Sequence, residues 1–213
     1  MYVNGEMMTE LKKMTKAAQR KATMDKLIQI ATREFAAKGY AAASTEHIVE
    51  QAGLTRGALY HHFKNKAGLF LAVFRTAQEE IGRRVESSAN STGDLWEQLT
   101  LGCRAFLEAS SDPVLQQIVV IDGPAVLKWE TVRQVDASLD DGSLSLLKEC
   151  LAELVQSKTI IPVPVEAIAH LLSGAMDEAA VWIAQSKDPV TALEQAWESL
   201  NILLSSLKVD HQD

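Results

Sequence analysis

Two helix starts stand close together in the stretch from Ser44 to Lys66. Ser44 and Thr45 offer an N-cap hydroxyl ahead of an apolar pair, and Thr55 offers another ahead of a second amphipathic segment. Between them stands Gly53, and a left-handed C-terminal cap suits glycine because it has no side chain. The spacing predicts two short helices joined by a tight turn. This is the helix-turn-helix pattern, whose second helix enters the major groove of DNA.

The second of these helices is predicted to bury one side and to expose the other. Leu59 and Phe63 are one turn apart and are expected to face the interior. The opposite side has small residues that allow a close approach to bases, an arginine that can bind guanine, and Tyr and His that can reach phosphates. Lysines follow, where exposed helix amides also favour an anion. The residues predicted to contact double-stranded DNA are Ser44, Thr45, His47, Thr55, Arg56, Gly57, Ala58, Tyr60, His61, Lys64 and Lys66.

The whole stretch resembles the DNA-binding domain of the tetracycline-repressor (TetR) family of bacterial transcription regulators. The family pattern is a hydroxyl pair, an apolar pair, Ala-Gly, a small residue in the recognition turn, Leu-Tyr-x-His-Phe and Lys-x-x-Leu. The residues that match it are Ser44-Thr45, Ile48-Val49, Ala52-Gly53, Gly57, Leu59-Tyr60, His62-Phe63 and Lys66 with Leu69, preceded by Ile30-Ala31, Phe35 and Gly39-Tyr40. The resemblance covers residues 22–74. Its departure is Ala67, where the family usually has an acid.

Charge divides the chain into two parts. The net charge at pH 7 is −7, yet residues 1–84 contain 14 Lys and Arg against eight Asp and Glu, while residues 85–213 contain seven against 20. A basic amino-terminal part on an acidic remainder is typical of a DNA-binding protein with a separate body. The acidic body would be repelled by DNA, which favours docking by the basic end. The alternative is a basic face without a role in DNA binding.

Composition also indicates where in the cell the protein is located and whether it binds a metal or another cofactor. No apolar run approaches the roughly 18 residues of a membrane span, and the first residues lack the apolar core of a signal peptide. We therefore expect a cytoplasmic protein without a membrane partner. Cys103 and Cys150 are far apart and lack metal-like spacing, so no metal and no cofactor is expected. We interpret them as two buried thiols, with a redox sensor as the alternative.

Helical periodicity predicts an all-α chain in three parts. Residues 1–18, which lack persistent periodicity, are expected to form a flexible basic arm, and residues 19–66 a helix-turn-helix DNA-binding domain; the TetR resemblance implies that residues 67–213 are a helical ligand-binding and dimerisation domain. The first helix is expected from about Gln19 to Lys38 and a fourth helix from about Ala67. In the arm and just after it, Lys12, Lys13, Lys16 and Arg20 are candidates for additional DNA contacts, the alternative being diffuse attraction to phosphates. The helices expected in the body are, approximately, 95–109, 113–121, 122–135, 144–158, 165–186 and 189–208.

The last two of these helices are apolar around much of their circumference, so they must be covered on both sides. The TetR resemblance implies a homodimer joined by a four-helix bundle, to which each subunit gives two such helices. The alternative is a thick monomer core, which fits poorly in a body of about 130 residues. The residues predicted at the dimer interface are Leu172, Ala179, Ile183, Leu193, Trp197, Leu200 and Leu204.

The resemblance also implies a small-molecule pocket inside the body. Aromatic, soft and polar side chains are the candidates for its lining, with ordinary core packing as the alternative for the apolar ones. His170 shares a helix face with two of the polar candidates, a polar row that faces a ligand, solvent or the dimer interface. The candidates are Phe74, Trp96, Cys103, Phe106, Trp129, Ser173, Met176 and Asp177.

The sequence lacks the short motifs of catalysis, namely the G-x-S-x-G elbow, the phosphate-binding loop and the H-E-x-x-H zinc pair. We therefore predict a transcription regulator rather than an enzyme. The TetR resemblance implies a homodimeric repressor released from a palindromic operator by a small-molecule ligand. Two alternatives are a protein of the same fold controlled by protein partners, and an enzyme with a DNA-binding appendage.

Overall fold

The computed structural model describes residues 3–139 and 142–209, with side chains from Thr15 onward except that of Trp129. The chain divides into two compact units, Met1–Val73 and Phe74–Asp213. The described residues form helices joined by short turns, and their only β pairing is an isolated antiparallel bridge between Ile160 and Lys208. The predicted all-α class is confirmed.

The first unit contains α1 (Val3–Ala42), α2 (Thr45–Ala52), α3 (Arg56–Phe63) and the start of α4 (Lys66–Ala89). The expected start of the first helix near Gln19 is wrong, because α1 begins at Val3 and includes most of the segment predicted to precede it. The helical backbone is interrupted one residue after the expected end at Lys38, although α1 continues to Ala42. Gly39 interrupts the helical backbone with φ 70° and ψ 162°, a conformation that glycine adopts without steric cost.

The core of this unit fixes the orientation of its helices. Leu27, Ala31 and Phe35 of α1 are fully buried, and so are Ile48 of α2 and Leu59 of α3. Burying a leucine, isoleucine or phenylalanine side chain contributes roughly 1.5–3 kcal/mol to the stability of the fold. Because Leu59 is drawn inward, the opposite side of α3 must face outward.

The second unit contains the rest of α4 and a series of helices, two of which begin at the aspartate–proline pairs of the sequence. Asp112 precedes Pro113, and Asp188 precedes Pro189, and each aspartate accepts backbone N–H bonds from the helix that it caps. The helices are α5 (Leu95–Ser110), α6 (Pro113–Leu115), a π-helical segment (Gln116–Asp122), α7 (Gly123–Val126), α8 (Trp129–Ala137), α9 (Ser143–Gln156), α10 (Val165–Gln185) and α11 (Pro189–Ser205).

The region after α6 differs from the expectation of two ordinary helices. The residues from Gln116 to Asp122 are wound as a π-helix, and the next helix is divided into α7 and α8. A close approach explains the glycine at this point, because a Cβ on Gly123 would lie 2.6 Å from the ring of Phe74. A bare backbone is therefore needed where the chain passes over that ring.

None of the helices within the described residues is both long enough and apolar enough to span a membrane.

Candidate nucleic-acid interface and body cavities

Two side-chain caps and one glycine build the helix pair of the first unit. Ser44 Oγ accepts a hydrogen bond of 3.2 Å from the amide of His47 at the start of α2, and Thr55 Oγ1 accepts one of 3.2 Å from Ala58 at the start of α3. Gly53 has the left-handed conformation, φ 64° and ψ 33°, and its N–H donates to a carbonyl of the last turn of α2. The caps and turn predicted from the sequence are those of the structure.

Helix α3 exposes the side that was predicted to face DNA. Leu59 and Phe63 are buried, whereas Arg56, Gly57 and Tyr60 are exposed. A Cβ on Gly57 would meet only Thr55 Oγ1, at 3.7 Å, so packing within the unit does not require a glycine there. His61 is also exposed, and Ala58 is half-buried. The outer face therefore has small side chains in the middle and polar side chains on either side of them. Such a face suits a helix that closely approaches the edges of DNA bases.

Arg56 is held in place on this face by two neighbours. Its guanidinium lies 3.3 Å from Glu46 Oε1 and 3.3 Å from the hydroxyl oxygen of Tyr60, to which it donates. The same group lies 5.4 Å from the centroid of the Tyr60 ring, within cation–π range. Arg56 is thus oriented before any DNA arrives, although its side chain remains largely in solvent.

Glu46 is a residue that the sequence reasoning missed, because an acid in the first turn of a helix is ordinarily explained by the helix dipole. Its own backbone amide, at the start of α2, is the largest cause that lowers its pKa. The hydroxyls of Ser44 and Thr45 and the charge of Arg56 lower it further. The carboxylate is therefore ionised, on a surface predicted to meet phosphates. It can accept a hydrogen bond from a DNA base only if Arg56 moves away from it.

His47 is tied to α1 rather than free. Its Nδ1 lies 2.9 Å from Glu34 Oε2, and the other oxygen of Glu34 accepts hydrogen bonds from Lys38 and from the Ser44 amide. Burial alone would raise the pKa of Glu34, but these hydrogen bonds lower it to about 2. This buried carboxylate joins α1 to the amino end of α2.

Lys66 is placed differently from a free phosphate-binding cation. Its Nζ donates to the carbonyl of Ala43 at 2.6 Å and lies 4.7 Å from the centroid of the Tyr40 ring. The ammonium therefore links the start of α4 to the residue that follows α1 and stabilises the first unit. Lys64 is exposed at the C-cap of α3, with a left-handed φ of 66°, and it fits the predicted role better.

His62, next to the exposed face, is half-buried, and its buried Nδ1 has no hydrogen-bond partner in the described structure. Burial lowers the pKa of His62, and the nearby His61 and Arg20 lower it further. The uncharged imidazole is favoured, and it packs edge-on against the ring of His61 at a centroid distance of 5.1 Å.

Two cavities lie among the helices in the described part of the second unit, apart from an open groove of about 550 Å³ along α10 and α11. The first measures about 200 Å³ and the second about 240 Å³. Of the predicted ligand-binding residues, Cys103 and Met176 line the first, Ser173 and Asp177 line the second, and Phe106 lines both. The polar row of α10 is thus partly directed into a cavity.

The other ligand candidates have different environments. Phe74 is fully buried against Gly123 and lines neither cavity. Trp96 also lines neither, and the ammonium of Lys208 lies 4.6 Å from its ring. His170 is exposed near Glu166, and the side chain of Trp129 lies outside the described residues.

The second cavity contains a charged cluster. Arg133 lies 3.8 Å from Asp136 and 3.6 Å from Asp177, and it donates to Ser173 Oγ at 3.5 Å. Burial is the main cause that raises the pKa of Asp177, to about 6, although Arg133 opposes the shift. Burial also raises the pKa of Asp136.

The predicted dimer-interface residues divide into two groups. Leu172, Ile183, Leu200 and Leu204 are buried in the core of their own unit, so they do not form an outer face. Ala179, Leu193 and Trp197 are half-buried, and Arg104 stacks over the Trp197 ring at 5.6 Å. The large apolar side chains that α10 and α11 leave exposed are Leu171, Trp182, Val190, Ile202 and Leu203.

Comparison with known proteins agrees with this architecture. Residues 27–73 match the model of bacterial regulatory proteins of the tetR family, and residues 96–207 match the tetracyclin repressor-like C-terminal domain. The TetC protein of transposon Tn10 from Escherichia coli is 25% identical over 154 residues, which are 72% of this chain and 76% of that protein.

Solved structures of similar fold extend over nearly the whole chain. A TetR-family transcriptional regulator from Pectobacterium atrosepticum is 33% identical with a TM-score of 0.79, covering 91% of this chain and 97% of its own. The regulator FadR from Bacillus subtilis, solved in complex with stearoyl-CoA, is 23% identical with a TM-score of 0.64, covering 85% and 97%.

The fold and the exposed side of α3 define the class of protein, a helix-turn-helix DNA-binding regulator. Both parts of the chain match models of one family, and the second match alone covers more than half of it. The chain belongs to the TetR family of bacterial transcription regulators. Members of this family are typically repressors that act as dimers and respond to small molecules.

Proposed function

We propose that this chain is a homodimeric repressor that binds a palindromic operator and is released from it by a small molecule. The observation that carries the DNA-binding part is the outer side of α3, where Arg56 is already oriented by Glu46 and Tyr60. An arginine so placed can donate two hydrogen bonds to a guanine edge in the major groove. Lys64 and the amino ends of the helices supply contacts to phosphates.

The proposed dimer uses the apolar face that α10 and α11 leave uncovered. Leu171, Trp182 and Leu203 are 70%, 47% and 57% exposed, and side chains of this size are costly to leave in water. Two copies of this face would bury one another by two-fold symmetry. A two-fold dimer then presents two α3 helices, which match a palindrome when they are about 34–36 Å apart or at a compatible multiple.

Ligand control is supported by the two cavities and by helix α4. This helix starts in the DNA-binding unit at Lys66, and its residues Val85 and Ala89 line the first cavity. A ligand that prefers one position of α4 shifts the equilibrium between DNA-binding and released forms. A hundredfold loss of operator affinity needs a preference of about 2.7 kcal/mol, which is within ordinary allosteric coupling. FadR, which has this fold, was solved with stearoyl-CoA, and a ligand in the body of this chain is proposed by analogy.

The DNA-binding part is tested with an operator selected from random duplexes by the full-length protein. Fluorescence anisotropy then compares wild type, Arg56→Ala and the control Arg83→Ala. Arg83 is a similarly exposed arginine paired with a glutamate, but it lies on α4 in the second unit. Arg56→Ala should weaken the selected operator roughly 10- to 100-fold and relax its base preference, while Arg83→Ala should not. Equal operator affinity of all three proteins contradicts the proposed role of α3.

The same assay separates the main alternative, control by a protein partner. A small molecule that binds the body and lowers operator affinity supports the repressor mechanism. Ligand binding without any change in operator affinity removes the switch and leaves partner control as the explanation.

A further inference from the structure

The turn between α3 and α4 places its central residue in an unfavourable backbone conformation. Lys64 has φ 66° and ψ −44°, and the amide of Asn65 donates a hydrogen bond of 2.8 Å to the carbonyl of Phe63. A hydrogen bond that spans one central residue with such angles defines a γ-turn of the rare and strained form. Because φ is positive, the Cβ of any residue other than glycine is crowded against the backbone. Lys64 is therefore held in a strained conformation.

The other positive φ angles of the described chain have simpler explanations. The non-glycine residues among them are Lys64 and Lys158. Lys158 ends α9 in an ordinary helix cap, in which its own amide and the next one bond to carbonyls of the last turn. The turn between α2 and α3 uses a glycine, Gly53, where φ is positive. Glycine would suit the backbone at position 64 as well, so local sterics do not explain the lysine.

The surroundings of the γ-turn hold it from both sides. The side-chain oxygen of Asn65 accepts a hydrogen bond of 2.8 Å from the amide of Gly68, in the first turn of α4. A Cβ on Gly68 would overlap the carbonyl oxygen of Phe63, so the start of α4 lies directly against the end of α3. Phe63 is buried on one side of the turn and Leu69 on the other. A strained conformation persists only where its surroundings determine it, and these contacts do so.

A residue with a side chain restrains this turn more than glycine would. Glycine has a larger range of allowed φ and ψ angles, so it would relieve the strain and also loosen the junction between the two helices. Strained residues are concentrated at functional sites, where they hold groups in place before a ligand arrives. The helix held by this turn is α3, whose exposed face contains Arg56 and Tyr60.

We propose that the γ-turn at Lys64 is a positioning element that fixes the orientation of α3 on α4 before DNA is bound. The inference rests on the proposed function, in which α3 enters the major groove. An orientation fixed in advance lowers the entropy lost on specific binding. Binding to random-sequence DNA depends on charge and does not need the same alignment with base edges. The turn therefore increases the preference for the operator and decreases the stability of the unit.

The test compares Lys64→Gly with Lys64→Ala in the full-length protein. Both variants lose the ammonium, and alanine keeps a Cβ, so the difference between them reports on the backbone alone. Hydrogen exchange at the core amides of α1 should show a folding equilibrium constant about three- to tenfold larger for Lys64→Gly, since glycine relieves the strain. Equal exchange in the two variants means that position 64 is not strained, and it overturns the inference.

Stability and operator binding should then change in opposite directions. In anisotropy titrations, Lys64→Gly should bind the selected operator about three- to tenfold more weakly than Lys64→Ala, because its α3 is less restrained. The two variants should bind random-sequence DNA equally and with the same salt dependence, since their charges are equal. A turn with a purely structural role predicts that the more stable glycine variant binds the operator at least as tightly, and that result overturns the inference.

Lys158→Gly is the matched control. It replaces the other exposed lysine that has a positive φ, at the end of α9 in the second unit. The substitution should stabilise the body and leave the ratio of operator to random-sequence affinity unchanged. A lower ratio in this control would mean that the effect does not arise at the turn between α3 and α4, which contradicts the assignment.

One readout without DNA separates this inference from the proposed function. The amide of Asn65, which donates to Phe63, should exchange faster in Lys64→Gly than in Lys64→Ala, although the core amides exchange more slowly. If wild type binds every duplex equally, the operator function fails, and the exchange of this amide still decides whether the turn is restrained. If Arg56→Ala weakens operator binding while the two variants at position 64 bind equally, the role of α3 stands and the positioning role is refuted.

Discussion

Glu46 holds Arg56 across the helix-turn-helix, with Glu46 Oε1 3.3 Å from a guanidinium nitrogen. On a face proposed to meet phosphates, this carboxylate would oppose binding to DNA in general and would compete with a base for Arg56. We therefore expect the pair to favour a base sequence whose hydrogen bonds to Arg56 replace its contact with Glu46. Glu46 has no evident role in the core, since its side chain is 63% exposed.

The first prediction follows from this pair. Glu46→Gln should tighten binding to random-sequence DNA several-fold and reduce the ratio of operator to random-sequence affinity, because a repulsive charge is lost and Arg56 is released. Anisotropy titrations on both duplexes measure the ratio. Glu50→Gln, which changes another exposed glutamate of the same helix, is the control. An unchanged ratio in Glu46→Gln means that the carboxylate has no part in discrimination.

The second prediction separates two nearby lysines. Lys66→Ala should lower the free energy of unfolding of the DNA-binding unit by about 1–3 kcal/mol, because the Ala43 carbonyl loses a charged donor. Lys64→Ala should leave stability unchanged and reduce the slope of log affinity against log salt by about 1. Urea denaturation and salt titrations distinguish the two roles. The assignment of Lys66 is wrong if its variant unfolds like wild type.

The third prediction separates the core of the body from its outer face. Leu203→Glu should split the proposed dimer into folded monomers, since Leu203 is exposed on the subunit. Leu200→Glu should unfold the body, because Leu200 is 6% exposed and an unpaired carboxylate would be buried. Sedimentation together with circular dichroism reports both properties. Wild type that sediments as a monomer at micromolar concentration refutes the dimer.

The fourth prediction concerns pH. The pKa of His62 is lowered by folding, so the unfolded chain binds more protons and stability rises with pH. The contribution of His62 is fully present above the ordinary histidine pKa of about 6.5 and is lost as pH falls through that value toward the lower folded pKa. His62→Gln should flatten the decline of unfolding free energy between about pH 7 and 5, and His61→Gln should keep it. If the unfolding free energy declines identically in both variants, the pH dependence arises from groups other than His62.

The helix ends of the DNA-binding unit could be predicted from the sequence because interactions between nearby residues determine them. Ser44, Gly53 and Thr55 act through neighbours within a few residues, so their roles can be read without the fold. The contacts of Lys66 could not be predicted in this way, because its partners, Ala43 and Tyr40, lie more than 20 residues away in sequence. A free lysine and a bonded one have the same local pattern.

The body shows a second limit of sequence reasoning. Helices α10 and α11 are apolar on several sides, so periodicity does not say which side meets the subunit's own core and which meets a partner. Leu171 and Leu172 are adjacent, yet the first is 70% exposed and the second 6%. Only the packing of α10 against its neighbours in the fold makes that choice.

Because Gly123 lies so close to the ring of Phe74, the residues at positions 123 and 74 cannot change independently of each other. A Cβ at position 123 would lie 2.6 Å from the Phe74 ring and 3.1 Å from the carbonyl oxygen of Ile118, so a side chain there must displace both. Substitution of the glycine alone passes through a destabilised intermediate. A change at position 123 is therefore expected only together with a smaller residue at position 74 and a shift of the backbone at Ile118, since a smaller residue at position 74 alone would leave a cavity.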